Sequence, residues 1–184
     1  MPAGDGPARS NDEHDVVARA RRGERSAFEE LFRSHRDRVY GLAIRLTSDT
    51  ELAEDVVLEA FSAAFTQLPA FRGDSRFSTW VCAIALNCAR QAIRTHSRRR
   101  DRFEMPGPEM RPSLSEDPAL LEEGIDLERA IAGLPPRARE ALILRHVYGL
   151  SCDETAAAMN VTTGTVKSQT SRACALLKER LSYE

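Results

Sequence analysis

Wherever this chain has a regular pattern, its apolar residues recur at three- and four-residue spacing, and no stretch alternates with period two long enough to make a strand. A chain restricted to the helical period can close a core only by packing helix on helix, so the fold class is all-α. Phe28, Leu31, Phe32, Val39, Leu42 and Leu46 set out a helix of about five turns, with Ser26 and Glu29 spaced as a capping box at its start. After a polar break at Thr47 to Thr50, a second helix carries Leu52, Val56, Ala60, Ala63 and Leu68 and closes at Pro69. Ser78 is placed to cap a third, with the seam Val81, Ile84, Cys88 and Ala92, and a shorter helix precedes Gly23.

The pattern stops between Asp101 and Asp117, where prolines, acids, Gly and Ser are mixed without periodicity, and this reads as a flexible linker. It resumes from Leu120 to Ala132. Gly133 to Pro136 punctuates it, with Pro135 or Pro136 suited to the first position of a helix. Arg137 to Tyr148 follows, with Ala141, Leu144 and Val147 inward, and Gly149 ends it. Ser151 and Glu154 make another capping box, Asn160 suits a left-handed turn, and Thr162 caps a last helix with the seam Val166, Thr170, Ala173, Leu177 and Leu181. A short helix, a tight turn and a longer helix make a helix-turn-helix. The expected organisation is a disordered tail over 1–14, a helical domain over 15–100, a linker over 101–119 and a second helical domain over 120–184.

Charge follows the same division. The chain of 184 residues has 26 basic and 28 acidic side chains, so its net charge of −2 looks uninformative. Yet residues 1–100 are net +2, residues 101–130 are net −6, and residues 131–184 are net +2. Ser75 to Arg100 contains Arg76, Arg90, Arg94, Arg98, Arg99 and Arg100 and no acid. Solvated helix faces normally mix signs, so an acid-free arginine run points to a polyanion.

Two faces could carry that contact. On the third helix Trp80, Asn87, Arg90, Arg94 and Arg98 lie opposite the apolar seam. A ring beside guanidinium groups suits single-stranded nucleic acid, where bases stack and phosphates are neutralised. The bland alternative for Trp80 is core packing beneath the preceding loop. On the last helix Thr163, Lys167 and Ser171 share a polar face with Ser168 and Arg172 beside them, as a helix in a DNA major groove requires.

Other chemistries find little support. His14, His35, His96 and His146 are scattered without nucleophile or carboxylate partners at a catalytic spacing, and no phosphate-binding glycine loop or metal motif occurs, so neither an enzyme nor a cofactor or metal is expected. Cys82, Cys88, Cys152 and Cys174 have no zinc-ligand spacing and read as fillers in a reducing compartment. No apolar run approaches a membrane span, and the N-terminus has no apolar signal core, so a cytoplasmic protein without membrane insertion is expected.

Three stretches, in order, resemble the extracytoplasmic-function group of bacterial sigma factors. AEDVVLEAF (Ala53 to Phe61) is similar to the region 2.2 helix that docks on the β′ clamp helices of RNA polymerase; Asp55 and Glu59 match acidic positions, and Leu58 stands where Gln is usual. FRGDSRFSTWVCAIALNCAR (Phe71 to Arg90) resembles regions 2.3 and 2.4, which melt and read the −10 element. The resemblance implies a loop pocket for a flipped base over Arg72, Asp74, Arg76, Phe77 and Ser78, and contacts from Thr79, Trp80, Asn87, Arg90 and Arg94. Leu134 to Ala173 looks like region 4, implying −35 contacts from Thr163, Thr165, Lys167, Ser168, Ser171 and Arg172. Gln169 and Cys174 stand where Arg is frequent, which lowers the expected −35 affinity and its salt dependence.

The resemblance covers Asp15 to Leu181. It implies a promoter-specificity subunit that binds core RNA polymerase at the β′ clamp helices and β flap, binds promoter DNA as duplex and single strand, and is restrained by an anti-sigma factor. The alternative is a helix-turn-helix regulator whose N-terminal domain senses a ligand or partner.

Overall fold

The computed structural model describes residues 7–103 and 127–181, with side chains over 13–99 and 127–181. Among these residues every regular element is helical. The N-terminal domain contains α1 (Pro7–Arg21), α2 (Arg25–Thr47), α3 (Thr50–Gln67), a 3-10 turn (Leu68–Ala70) and α4 (Phe77–Phe103). The C-terminal domain contains α5 (127–132), α6 (Pro136–Leu142) continuing into a π-helical turn (Ile143–Val147), α7 (Cys152–Met159) and α8 (Thr163–Leu181). Residues 104–126, which hold most of the expected linker and the start of the helix expected from Leu120, lie outside the described residues.

The boundaries follow local chemistry. Ser48 takes a left-handed conformation with φ 56°, and Asp49 then caps α3 by accepting from the Leu52 N–H at 3.0 Å. Ser151 and Glu154 form the full reciprocal capping box, and Asn160 ends α7 at φ 54°. The Thr162 hydroxyl accepts from the Thr165 N–H at 3.2 Å at the start of α8. Pro136 is the first residue of α6, and Gly149 turns the chain at φ 68°.

Four expectations are corrected. Ser26 and Glu29 form no capping box: the cap position is Glu24, two residues earlier, so Ser26 is already helical and its hydroxyl donates to Glu24. Ser78 does not cap α4, which begins at Phe77, with the Trp80 N–H bonded to the Arg76 carbonyl. Residues 7–14, read as tail, belong to α1, which is tied to α2 through Glu13 and His35 at 3.3 Å. The same helix is closed at its C-terminal end by Arg19 pairing with Glu24. Val147 points outward at 46% exposure, because the wider π turn rotates it off the seam that buries Ala141 and Leu144.

Core packing in the N-terminal domain depends on small residues. Ala27 and Ala43 on α2, Ala53, Ala60 and Ala64 on α3, and Ala85 and Ala89 on α4 are all 0% exposed. They let three helix backbones approach closely around Leu31, Val39, Leu42, Val56, Phe61 and Val81. Phe32 meets Phe61 edge-on at 4.7 Å, at the rim of this core.

The two domains are not separate bodies in the described structure. Their buried side chains form one continuous cluster, with α4 against α7 and α2 against α6. Helix α4 does not bury the single seam read from its sequence: Val81 is buried, but Ile84, Cys88 and Ala92 are only half-buried, and two neighbouring stripes are covered instead. Val81, Ala85 and Ala89 belong to the first core, while Thr79, Ala83, Leu86 and Arg90 fall at a spacing of four, three and four residues along a second stripe. Both ends of that stripe, Thr79 and Arg90, bond to the C-terminal domain.

The Ser151 box gives a direct test. The Ser151 backbone N–H holds the Glu154 carboxyl below its ordinary range, against the smaller opposing effect of burial. A depressed folded-state value means that this stabilisation is fully present above the ordinary carboxylate range and is lost as pH falls from there through the lowered folded-state value. Ser151→Ala should lower stability by about 1 kcal/mol. Glu154→Gln should flatten the acid limb of stability against pH, as measured by urea unfolding.

Candidate nucleic-acid and polymerase interfaces

Helix α8 is held by its apolar side and offers its polar side outward. Val166 and Ala173 are fully buried and Thr170 is half-buried, which seats the helix against α6 and α7. Thr163, Lys167, Ser168, Ser171 and Arg172 are exposed. Thr165 is half-buried, its hydroxyl 3.0 Å from that of Thr162, so it helps frame the helix start. The three-residue turn Asn160 to Thr162 joins the short α7 to the longer α8, which pack together in the order of a helix-turn-helix. The outward face combines short hydroxyl side chains near the N-terminal end with two cations, which is the chemistry of base-edge and phosphate contact in a major groove.

The region from Arg72 to Arg94 divides into exposed and supporting residues. Arg72, Asp74 and Arg76 are exposed on the loop, Gly73 turns it at φ 82°, and Ser75 and Ser78 are half-buried. Phe77 is 2% exposed and packs against His35, Phe71 and Trp80. It holds the loop from beneath and is not open to a ligand, which corrects its place among surface contacts. Trp80 is half-buried and lies over Phe71 with centroids 4.7 Å apart at 35°. Core support and a partly open ring thus coexist in one side chain. Asn87, Arg94 and Arg98 are exposed along the same side of α4.

Arg90 and Thr79 depart from the expected open face. Arg90 donates from Nε and Nη2 to the two Glu140 carboxylate oxygens at 2.9 and 2.6 Å. The Thr79 hydroxyl donates to Glu154 at 3.2 Å, and Thr79 is buried. Both partners come from the C-terminal domain. Sequence reasoning could not pair residues 50 and 75 positions apart without knowing how the domains dock.

Helix α3 presents a third face. Asp55, Leu58 and Glu59 are all exposed on one side, with Leu58 at 64%. Phe65, seven residues beyond Leu58, continues the stripe at 55% exposure, its ring edge-on to Phe28 at 4.9 Å. It was missed in the sequence because it sat among apparent core positions. Its signal was the i+7 spacing from Leu58. Two large exposed apolar side chains flanked by carboxylates fit a docking face for a partner with an apolar centre and basic rim.

No group of three or more His, Cys, Asp or Glu among the described residues could hold a metal. Burial pushes the Cys82 and Cys88 thiols up, away from the reactive thiolate. Among the described residues no helix is long and apolar enough to cross a membrane. Because Trp80 is also core, Trp80→Ala should destabilise the N-terminal domain by about 2 kcal/mol, and Trp80→Phe by less, in urea unfolding followed by circular dichroism.

Comparison with known proteins supplies the context for these faces. Residues 31–99 match the model of Sigma-70 region 2, and residues 125–177 match that of Sigma-70, region 4. The RNA polymerase sigma-H factor of Pseudomonas aeruginosa is 33% identical over 172 residues, covering 88% of this chain and 89% of that protein. The ECF RNA polymerase sigma-E factor of Escherichia coli K12 is 36% identical over 169 residues, covering 86% and 88%. Among solved structures, the sigma factor RpoE in complex with the anti-sigma factor NepR from Bartonella quintana matches with a TM-score of 0.71 and 26% identity, covering 84% of this chain and 96% of that one. CnrH, solved with the cytosolic domain of CnrY, has the same fold, with a TM-score of 0.71 and 24% identity over 94% of this chain and 98% of that one. The region 2 match takes the place of the ligand-sensing domain that the alternative reading required. This chain belongs to the sigma-70 family of RNA polymerase sigma factors, in the extracytoplasmic-function group.

Proposed function

We propose that the three exposed faces divide the work of promoter-directed initiation. As an ECF-type sigma factor the chain directs core RNA polymerase to specific promoters. The Asp55–Leu58–Glu59 face of α3, extended by Phe65, docks on the polymerase clamp. The loop Arg72 to Ser78 with Trp80, Asn87, Arg90 and Arg94 engages the −10 element as its strands separate. The face of α8 formed by Thr163, Lys167, Ser168, Ser171 and Arg172 reads the −35 element, with Thr165 setting the helix start. The sigma factor acts in the cytoplasm and performs no covalent step, which the polymerase supplies. An anti-sigma factor covering these faces would hold the chain inactive.

The observation that carries this reading is the helix-turn-helix itself. Its capping box, left-handed Asn160 and buried Val166 and Ala173 turn the polar face of Thr163, Lys167, Ser168, Ser171 and Arg172 outward, while Leu181 at the far end of the expected seam is 43% exposed. A surface helix of a generic bundle does not require that frame.

The −35 assignment is tested by transcription in vitro with core polymerase. Lys167→Ala and Arg172→Ala should each weaken −35-dependent initiation, with a loss of about 1–3 kcal/mol in binding where a base is contacted. Loss of a pure phosphate contact should instead lower the salt slope by about one. Equal loss on a promoter with a scrambled −35 element would remove the residue from direct contact. For the −10 assignment, Trp80→Ala should reduce permanganate reactivity of the melted bubble more than it reduces polymerase binding. Unchanged reactivity would remove Trp80 from strand capture.

A further inference from the structure

Phe77 holds the Arg72 to Ser78 loop from beneath, and its own support comes from three parts of the chain. Phe71, ahead of the loop, meets it edge-on with centroids 6.3 Å apart, and Trp80 on α4 lies 5.7 Å away at 51°. The other neighbour is His35 on α2, with ring centroids 5.1 Å apart at 50°. The imidazole side chain is 13% exposed, and its Nε2 faces the Glu13 carboxylate of α1 at 3.3 Å. That carboxylate oxygen is buried and has no other hydrogen-bond partner.

A polar ring in this place carries a cost. An apolar side chain would pack against Phe77 without it, and burial of an imidazole is offset only when its nitrogen is bonded. The Glu13 carboxylate supplies that bond, and by holding one edge of the ring it sets the orientation of the ring towards Phe77. The same bond holds the Glu13 carboxyl below its ordinary range against the opposing effect of burial, with smaller attractions from His14 and from Arg76 on the loop itself. Helix α1 also packs against the 3-10 turn Leu68–Ala70 that leads into the loop, and its Val16 and Ala20 are buried. The chain entering the loop and the residue closing it thus both rest on groups tied to α1.

We propose that His35, oriented by Glu13, is a positioning residue for strand separation: it seats Phe77, and through Phe77 it fixes the Trp80 ring and the Arg72 to Ser78 loop in the shape that receives the −10 strand. This rests on the reading of that loop and Trp80 as the −10 face. Helix α1 then acts on promoter opening through packing. The gain is preorganisation. A loop fixed before DNA arrives loses little conformational freedom at the moment of contact, whereas a loop resting on an untethered Phe77 has still to be ordered.

Trp80 is the single tryptophan of the chain, so acrylamide quenching of its emission reads how firmly the ring is held. The test uses the full chain. Glu13→Gln keeps the shape of the side chain and removes its charge, and His35→Ala removes the ring. Each should raise the quenching constant of the free chain. With core polymerase each should slow promoter opening about tenfold, as read by permanganate reactivity of the bubble, while polymerase binding stays near wild type. Because Glu13 acts through His35, Glu13→Gln should add nothing further in the His35→Ala chain, and additive losses would overturn the link between them. Circular dichroism checks folding, and Glu13→Gln, at a side chain 32% exposed, remains informative where His35→Ala unfolds. Wild-type quenching in the folded variants would overturn the seating of Phe77 by His35. Raised quenching with wild-type opening would overturn the positioning role, and Trp80→Ala then shows how far the failure extends. If Trp80→Ala impairs opening, the positioning role alone falls; if it too leaves opening unchanged, the −10 reading falls with it.

Discussion

Helix α4 has to satisfy two neighbours at once. One stripe, Val81, Ala85 and Ala89, closes the N-terminal core against α2 and α3. A second, from Thr79 to Arg90, meets the C-terminal domain. A helix of this length can carry both because residues three and four apart share a face, leaving room for two stripes and a third, exposed side. That third side holds Asn87, Arg94 and Arg98. The proposed nucleic-acid face, the joint between the domains and the stability of the first core all meet on this one element.

The joint combines apolar packing, in one continuous buried cluster, with exchangeable guanidinium bonds. An apolar joint of the same extent would lock the domains together, whereas the guanidinium bonds can be exchanged for bonds to water or phosphate. Tyr148 illustrates the balance. Burial pushes its phenol up to about 12, which extends its donor bond to the Arg38 carbonyl further into the alkaline range. It follows the π-helical turn, the irregular element of the C-terminal domain, at the point where the chain faces α2. Irregularity there redirects Val147 outward and Tyr148 towards the other domain.

The helices and most of their ends were legible because their causes are local. Capping at Ser151 and Thr162, the left-handed Asn160, Pro136 at the helix start and Gly149 at a positive φ depend on a few adjacent residues. Errors came where a distant or competing group intervened. Ser26 lost its cap to a helix whose cap position is Glu24, two residues earlier, and Ser78 to the start at Phe77. On α8, the exposed face could be read by counting from the buried seam. On α4, counting from one seam could not reveal a second.

The sequence by itself determined the all-α class, the two helical modules, the helix-turn-helix frame and the outward face of α8, because these follow from helical periodicity, capping chemistry and the sign of neighbouring charges. Only the tertiary structure decided that the modules pack together, that Phe77 is core, that Phe65 extends the α3 face, and that Arg90 faces Glu140. Periodicity says which side of a helix is apolar but not which other helix covers it, and an arginine at a domain surface reads the same in sequence whether a phosphate or a carboxylate waits opposite.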